Sequence, residues 1–353
     1  MVRPSFKIKK KVIGTGRTFI IAEIGSNHNQ NLQTAKQLID IAADAGADAV
    51  KFQSLQFDKL YVHNLKNIQM KQLFKQIELR DEWHRELAEY CQRKNVFFFT
   101  AATYLEAVDL LEKVNVELYK IASPQTVTFP QLIEKIARLK KPIIMSTGYC
   151  TLKEIDRAVR IVHKNGNKKL ALLHCISEYP TTPEGVNLTF IKTLKHIYRI
   201  PVGFSDHTLG WSVTLAAVAM GADIIEKHIT LSKQHEGPDH HFSLEPNEFR
   251  QMVHDIRMIE KSIGDGKKEH ITASELALLK KLKMNALAND NIHKDSILNK
   301  EKDIIFRRLN EGMDAWDVYN ADSLRAKTDI SICTPLTKTN IQVKQEKIMR
   351  KKS

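Results

Sequence analysis

Nowhere does the chain hold the ~18 uninterrupted apolar residues that a membrane span requires. Its start, "MVRPSFKIKKK", is basic and lacks the apolar run of a secretory signal. Both absences point to a cytoplasmic protein with no membrane partner. Cysteine is scarce: Cys91, Cys150, Cys175 and Cys333 stand singly among 353 residues with no CxxC pair, so reduced thiols are expected and a disulfide framework is excluded. There is no zinc-finger spacing and no aromatic-and-basic sheet signature, which argues against nucleic acid as a partner despite a net charge of +13. The glycine cluster "GTG" at 14–16 lacks the third glycine and the preceding strand of a dinucleotide loop, and reads as a hairpin turn.

What is present is ordinary in bulk and regular in order. Apolar residues make up 42% and charged residues 27%, the balance of a soluble globular protein. The length calls for one large domain and a smaller one. From residue 18 onward, eight strand-like runs ("TFIIAEIG", "DAVKFQ", "VFFFTA", "ELYKIAS", "PIIMSTG", "LALLHC", "PVGFSD", "DIIEKHIT") alternate with helix-like stretches such as 31–47, 102–114, 128–140, 151–166 and 210–222. Continuously apolar strands, each followed by a crossover helix, argue for a parallel sheet buried on both faces, and eight such units fit a closed (β/α)₈ TIM barrel. The expected organisation is a barrel over 1–265, a linker with a short helix over 266–283, a small β-rich domain over 284–344 and a basic tail over 345–353.

Polar residues interrupt these strands at their C-terminal ends: Glu23 and Asn27, Lys51 and Gln53, Thr100, Lys120 with Ser123 and Gln125, Ser146 and Thr147, His174, Ser205 with Asp206 and His207, Glu226 and His228. Barrel enzymes build their sites on that face, so these residues read as one ring of functional groups. Neighbouring strands lie about 4.8 Å apart, which lets His207 and His228 share a divalent metal; the alternative is that each histidine only caps its strand. Lysines drawn into a barrel mouth need an anion or a reactive carbonyl. With Ser123, Ser146 and Ser205, Lys51 and Lys120 would make a phosphate and carboxylate cradle; a plain ion pair, Glu23 with Lys51, is the simpler alternative. His235 and "DHHF" at 239–242 lie in a long loop, as a lid or as solvated histidines.

The motifs "IAEIGSNHNQ", "AGADAVKFQ", "YKIASPQ", "KPIIMSTGY", "LLHCISEYPTTPEGVNL", "GFSDHTLG" and "IIEKHITL…GPDHHFSLEP", in this order and spacing, resemble the sialic acid synthase family over roughly residues 18–262, and more weakly over 284–344. The resemblance implies a TIM barrel followed by an antifreeze-like (SAF) domain. It also implies condensation of phosphoenolpyruvate with an N-acetylated amino sugar, N-acetylmannosamine or a 6-deoxy-diacetamido hexose, to a nine-carbon 2-keto acid and phosphate. By the same resemblance His207 and His228 would hold Mn2+ or Mg2+, and Lys51, Lys120, Ser123, Ser146 and Ser205 would bind phosphoenolpyruvate. Glu23, Tyr179 and Asp239 would contact the sugar, with Asn27 and Gln53 beside them. In the domain-swapped homodimer of the family, the partner's small domain would bring Arg308 of "FRRLNEGM" to the mouth.

Two departures stand out. The family usually reads Gly-Ser-Gly-Glu, or an Asp variant, where this chain has Ala122, Ser123, Pro124 and Gln125, and "FFFTAATY" lacks the usual Thr-Pro-Phe. An amide exchanges no proton near neutral pH, so any acid or base duty at position 125 is absent or moved. A silent sugar-binding homologue and a Schiff-base aldolase using Lys120 are the rival readings.

Overall fold

A computed structural model describes residues 4–62, 68–268 and 270–344. The basic tail expected over 345–353 lies outside the described residues. The chain divides into two compact units, Met1–Asp265 and Gly266–Ser353.

The first unit opens with an antiparallel hairpin, β1 (Phe6–Ile8) and β2 (Lys11–Ile13). Its turn falls at Lys9–Lys10, so "GTG" follows the hairpin and does not form its turn, contrary to expectation. Eight parallel strands then close a barrel: β3 (Phe19–Gly25), β4 (Ala49–Ser54), β5 (Phe97–Ala102), β6 (Tyr119–Ile121), β7 (Ile143–Ser146), β8 (Leu170–Cys175), β9 (Val202–Asp206) and β10 (Ile224–His228). Each strand pairs with its successor in sequence, and β10 pairs with β3. The barrel expected from the cadence of apolar runs is the one observed.

Helices surround the strands for reasons visible in their sequences. Leu32–Asp44 starts at Asn31, whose side chain accepts from the amides of Gln33 and Thr34. Leu152–Lys164 starts at a capping box of Thr151 and Glu154. The helix read over 128–140 is shorter, Pro130–Arg138, and a separate short helix, Ser123–Thr128, precedes it. Pro130 separates them, because proline supplies no amide to continue the first helix but suits the first turn of the second.

Two hydrophobic layers result. Between strands and helices pack Ile20, Ala22, Val50, Phe98, Leu172, Phe204 and Ile225 with the inner faces of the helices. Inside the barrel pack Ile21, Ala49, Phe99, Leu118, Ile144, Leu173 and Ile224, joined from below by Phe6, Ile8 and Ile13 of the hairpin. Lys11 ties the hairpin to buried Asp48. Gly203 admits the close approach of β9 to β10, since a Cβ there would stand 2.3 Å from the Ile224 carbonyl oxygen.

The second unit is small and β-rich. After a helix at Ala273–Leu282, β11 (Met284–Ala288) pairs antiparallel with β12 (Ile304–Arg308), and β13 (Ser323–Ala326) with β14 (Ile341–Lys344). Ala286, Leu298, Ile304, Leu324, Ile330, Leu336 and Ile341 form its own core.

Candidate active site at the barrel mouth

Side chains alternate across a strand, so residues two positions beyond the interior core face the mouth. Counting from Ile21, Ala49, Leu118, Ile144, Leu173, Gly203 and Ile224 reaches Glu23, Lys51, Lys120, Ser146, Cys175, Ser205 and Glu226, with His228 two further on. The same parity corrects the expected ring. Thr100, His174 and Asp206 share the outward face of Phe98, Leu172 and Phe204. Thr100 bonds Ser54 at 2.6 Å, His174 bonds the Val186 carbonyl at 2.6 Å, and Asp206 accepts from Thr214, so none of them enters the mouth.

Two lysines and two carboxylates interlock inside. Lys51 Nζ lies 2.8 Å from Glu23 Oε2 and 3.7 Å from Glu226 Oε1, while Lys120 Nζ donates to Glu226 Oε1 at 3.0 Å. Ser205 Oγ donates to the same Glu226 oxygen at 2.9 Å, and Gln53 Nε2 donates to Glu23 Oε1 at 2.8 Å. The ion pair between Glu23 and Lys51 is therefore formed, and Lys120 also has a carboxylate partner within the protein. All four charged groups are buried. Burial opposes ionisation of Glu226, but Lys120 and Lys51 outweigh it and hold its carboxyl down at about 2. Burial raises Glu23 despite Lys51, and the Glu226 charge adds to the rise. Burial and neighbouring charge thus push the two carboxyls in opposite directions, Glu226 downward and Glu23 upward. Burial lowers Lys120 despite Glu226; at Lys51 burial is outweighed by Glu226 and Glu23, and its pKa rises.

The histidine rings stand side by side, centroids 5.5 Å apart. A metal–nitrogen bond of about 2.1 Å puts each ring centre about 3 Å from the ion, so two rings flanking one cation stand roughly 5–6 Å apart. His207 Nδ1 is bound to the Ile176 carbonyl at 2.8 Å, which leaves Nε2 with the lone pair. His228 Nδ1 is buried with no hydrogen-bond partner, and lies 3.8 Å from Asp239 Oδ2. Burial lowers His207 to about 4 and His228 well below its ordinary value, so both rings are neutral donors at pH 7. Among the described residues no group of three or more His, Cys, Asp or Glu is placed to hold a metal ion. The two neutral imidazoles are donors of a type that ligates divalent cations, and any ion held by them alone would need water or substrate for its remaining positions.

Other expected residues are distributed around this centre. Tyr179 lays its ring against His207 at 4.4 Å and against Phe242 at 5.5 Å. Asp239 accepts from Ser26 at 3.2 Å, and burial raises its carboxyl. Ser123 Oγ accepts from the Gly148 amide at 3.0 Å and touches Cys175 Sγ at 3.2 Å. Ser146 Oγ and Gln125 Oε1 are buried polar atoms without a hydrogen-bond partner. Asn27 spends its amide on scaffolding, donating to the Ile229 carbonyl and Ser243 Oγ at 2.9 Å each. Arg308 is exposed at the end of β12 in the second unit. The long loop after β10 folds back: His240 is buried, bonded to Thr230 at 2.7 Å and to Asn29 at 3.0 Å, so it is no solvated lid histidine.

Glu226, the hub of the charge cluster, reads in the sequence only as one polar interruption among many. Phe242, packed at 4.9 Å from His228, and Ser26 also went unmarked. Parity along β10 could have placed Glu226; nothing local indicates Phe242.

A closed (β/α)₈ barrel carrying buried lysines, carboxylates and paired imidazoles at its C-terminal rim has the architecture of the TIM-barrel enzymes, whose sites lie on that face. More narrowly, residues 38–268 match the NeuB family, and the chain belongs to this sialic acid synthase-like family. It is 40% identical over 312 residues to the N,N'-diacetyllegionaminic acid synthase of Campylobacter jejuni, covering 85% of this chain and 92% of that one. An uncharacterized protein of Methanocaldococcus jannaschii is 44% identical, covering 87% and 90%. The crystal structure of the N-acetylneuraminic acid synthetase of Leptospira borgpetersenii, in complex with citrate, superposes with a TM-score of 0.72 at 36% identity over 79% of this chain and 96% of that one.

Proposed function

We propose that the protein condenses phosphoenolpyruvate with an open-chain N-acetylated amino sugar, N-acetylmannosamine or a 6-deoxy-diacetamido hexose, giving a nine-carbon 2-keto acid and phosphate. The observation that carries this reading is the gathering of Lys51, Lys120 and Ser205 around Glu226 beside the His207–His228 pair. The names of the Campylobacter and Leptospira relatives support the product class.

In this reading Lys51 and Lys120 bind the phosphate and carboxylate of phosphoenolpyruvate, with Ser123, Ser146 and Ser205 donating to its oxygens. C3 of the enol attacks the aldehyde carbon of the sugar; the carbon–carbon bond forms and the aldehyde oxygen takes up a proton. Water adds to the oxocarbenium carbon C2, and the tetrahedral intermediate breaks its C–O bond to release phosphate. Glu23, whose carboxyl burial raises, is the group suited to hold a proton. Glu226 stays ionised and keeps the lysine heads in place. Gln125 can orient substrate but transfers no proton. His207 and His228 would hold Mn2+ or Mg2+, which when bound supplies Lewis-acid polarisation of the aldehyde. Tyr179 and Asp239 would contact the sugar, and the second unit, as an SAF-type domain in a domain-swapped homodimer, would present Arg308 to the partner's mouth.

The test is a panel of N-acetylated hexoses with phosphoenolpyruvate and manganese, read by product mass and phosphate release. Phosphate release that needs both metal and sugar supports the synthase. Tight sugar binding with no release under any combination would instead mark a silent homologue, and a borohydride-trapped pyruvate adduct on Lys120 would mark an aldolase.

A further inference from the structure

Asp206 and Lys227 each stand one residue before a mouth histidine, and they are direct partners in the β9–β10 ladder. By parity both face outward, on the side of the strands opposite His228 and Ser205, and both are fully buried. Lys227 Nζ lies 3.0 Å from Asp206 Oδ2 and donates to the Thr208 carbonyl at 2.6 Å. Asp206 Oδ1 accepts from the amide and the hydroxyl of Thr208, each at 2.8 Å, and its Oδ2 accepts from the Thr214 hydroxyl at 2.5 Å. The residues on both sides of His207 are therefore gripped by the ammonium group that immediately precedes His228. Among the described residues this is the only ion pair between outward-facing residues of adjacent barrel strands.

Packing does not account for such a pair. Taking two ions out of water is costly, and well-fitted apolar side chains of similar volume are often as stable or more so. What charges and oriented hydrogen bonds add is direction: they tie the chain after β9, through Thr208, to one position of β10. Asp206 and Lys227 touch neither ring; they act through the backbone, each fixing the residue that immediately precedes a histidine, and supports outside the ligands themselves commonly tune metal affinity.

We infer that Asp206 and Lys227 are positioning residues that set the separation of the His207 and His228 rings and thereby the affinity of the mouth for a divalent cation. This rests on the two-histidine metal reading proposed above. The deciding measurement is Mn2+ binding by electron paramagnetic resonance on the full-length, metal-stripped protein, beside its thermal melting. The double variant Asp206→Asn/Lys227→Met removes both charges and leaves no buried ion unpaired. It is expected to melt near the wild type while binding Mn2+ about 10–100-fold more weakly. Thr214→Val, which removes one bond to Asp206, tests the same point without touching a charge and should lower affinity by a smaller factor in the same direction. With the wild type binding Mn2+ and His207→Ala not binding it, unchanged affinity in both positioning variants overturns the inference and leaves the two-histidine reading standing. Equal binding by the wild type and His207→Ala overturns that reading and the inference with it.

Discussion

Lys120 and Glu226 meet at 3.0 Å inside the barrel although 106 positions separate them in the chain. Closure of the cylinder brings them together, and it gives each lysine at the mouth a carboxylate supplied by the protein itself. In the proposed reaction an incoming phosphate or carboxylate would compete with Glu226 for ammonium groups that are already desolvated and already in place.

Removing Lys120 alone leaves Glu226 buried with Lys51 at 3.7 Å and Ser205 as its remaining partners. Lys120→Met should lose about 3 kcal/mol of unfolding free energy in urea titration. Lys120→Met/Glu226→Gln should recover most of that loss and still release no phosphate from phosphoenolpyruvate. A Lys120→Met protein as stable as the wild type would show that the pair contributes nothing to the fold.

His207→Ala and His228→Ala should each abolish metal-dependent turnover while the circular dichroism spectrum stays native, because both rings stand at a rim and fill no part of the core clusters. Turnover at the wild-type rate in either variant would remove that histidine from the metal site.

Gly148 faces Ser177 Oγ, Ser123 Oγ and Cys175 Sγ, which an added Cβ would meet at 2.3, 2.8 and 3.0 Å. Gly148→Ala should displace the hydroxyls of the proposed anion cradle and raise KM for phosphoenolpyruvate by about tenfold or more, since catalysis is sensitive to small misplacements. Steady-state kinetics with KM for the sugar unchanged would locate the effect; an unchanged KM for phosphoenolpyruvate would move the anion elsewhere.

Glu23 and Gln125 separate proton transfer from simple contact. Glu23→Gln should lower kcat by about 100-fold or more, the usual scale of a lost general acid or base, whereas Gln125→Ala should lower it by less than about tenfold. The reverse ranking would place the proton-handling group outside Glu23.

Burial holds His28 at about 4, against 6.5 for an unconstrained histidine, with no charge partner contributing. A depressed folded-state pKa favours the folded state above the unfolded value and loses that advantage as acid protonates the unfolded chain first. Stability should fall from pH ~6.5 toward ~4, by up to about 1.4 kcal/mol per pH unit from this group alone. His28→Asn should flatten calorimetric melting temperatures across that window; an unaltered slope would mean that His28 keeps its ordinary affinity for protons.

The barrel was legible because short apolar runs alternate regularly with longer stretches of helical spacing, some of them visibly capped, as at Asn31 and Thr151. The facing of residues at the strand ends was less so. Strands buried on both sides hide their alternation, so Thr100, His174 and Asp206 looked equivalent to Ser146 and Ser205 until the two core layers distinguished inward from outward. Partnerships such as Lys120 with Glu226 depend on closure and have no local signature. The hairpin at 6–13 also left no trace in the pattern, since strands of three residues are too short to show a period.

That hairpin has a kinetic consequence. Phe6, Ile8 and Ile13 extend downward a barrel interior already filled by Ile21, Phe99, Ile144, Leu173 and Ile224, so the charge cluster can be reached only from the mouth. In the proposed reaction, reactants and products would share one doorway, and spent phosphate or keto acid would have to vacate before a fresh pair could be admitted.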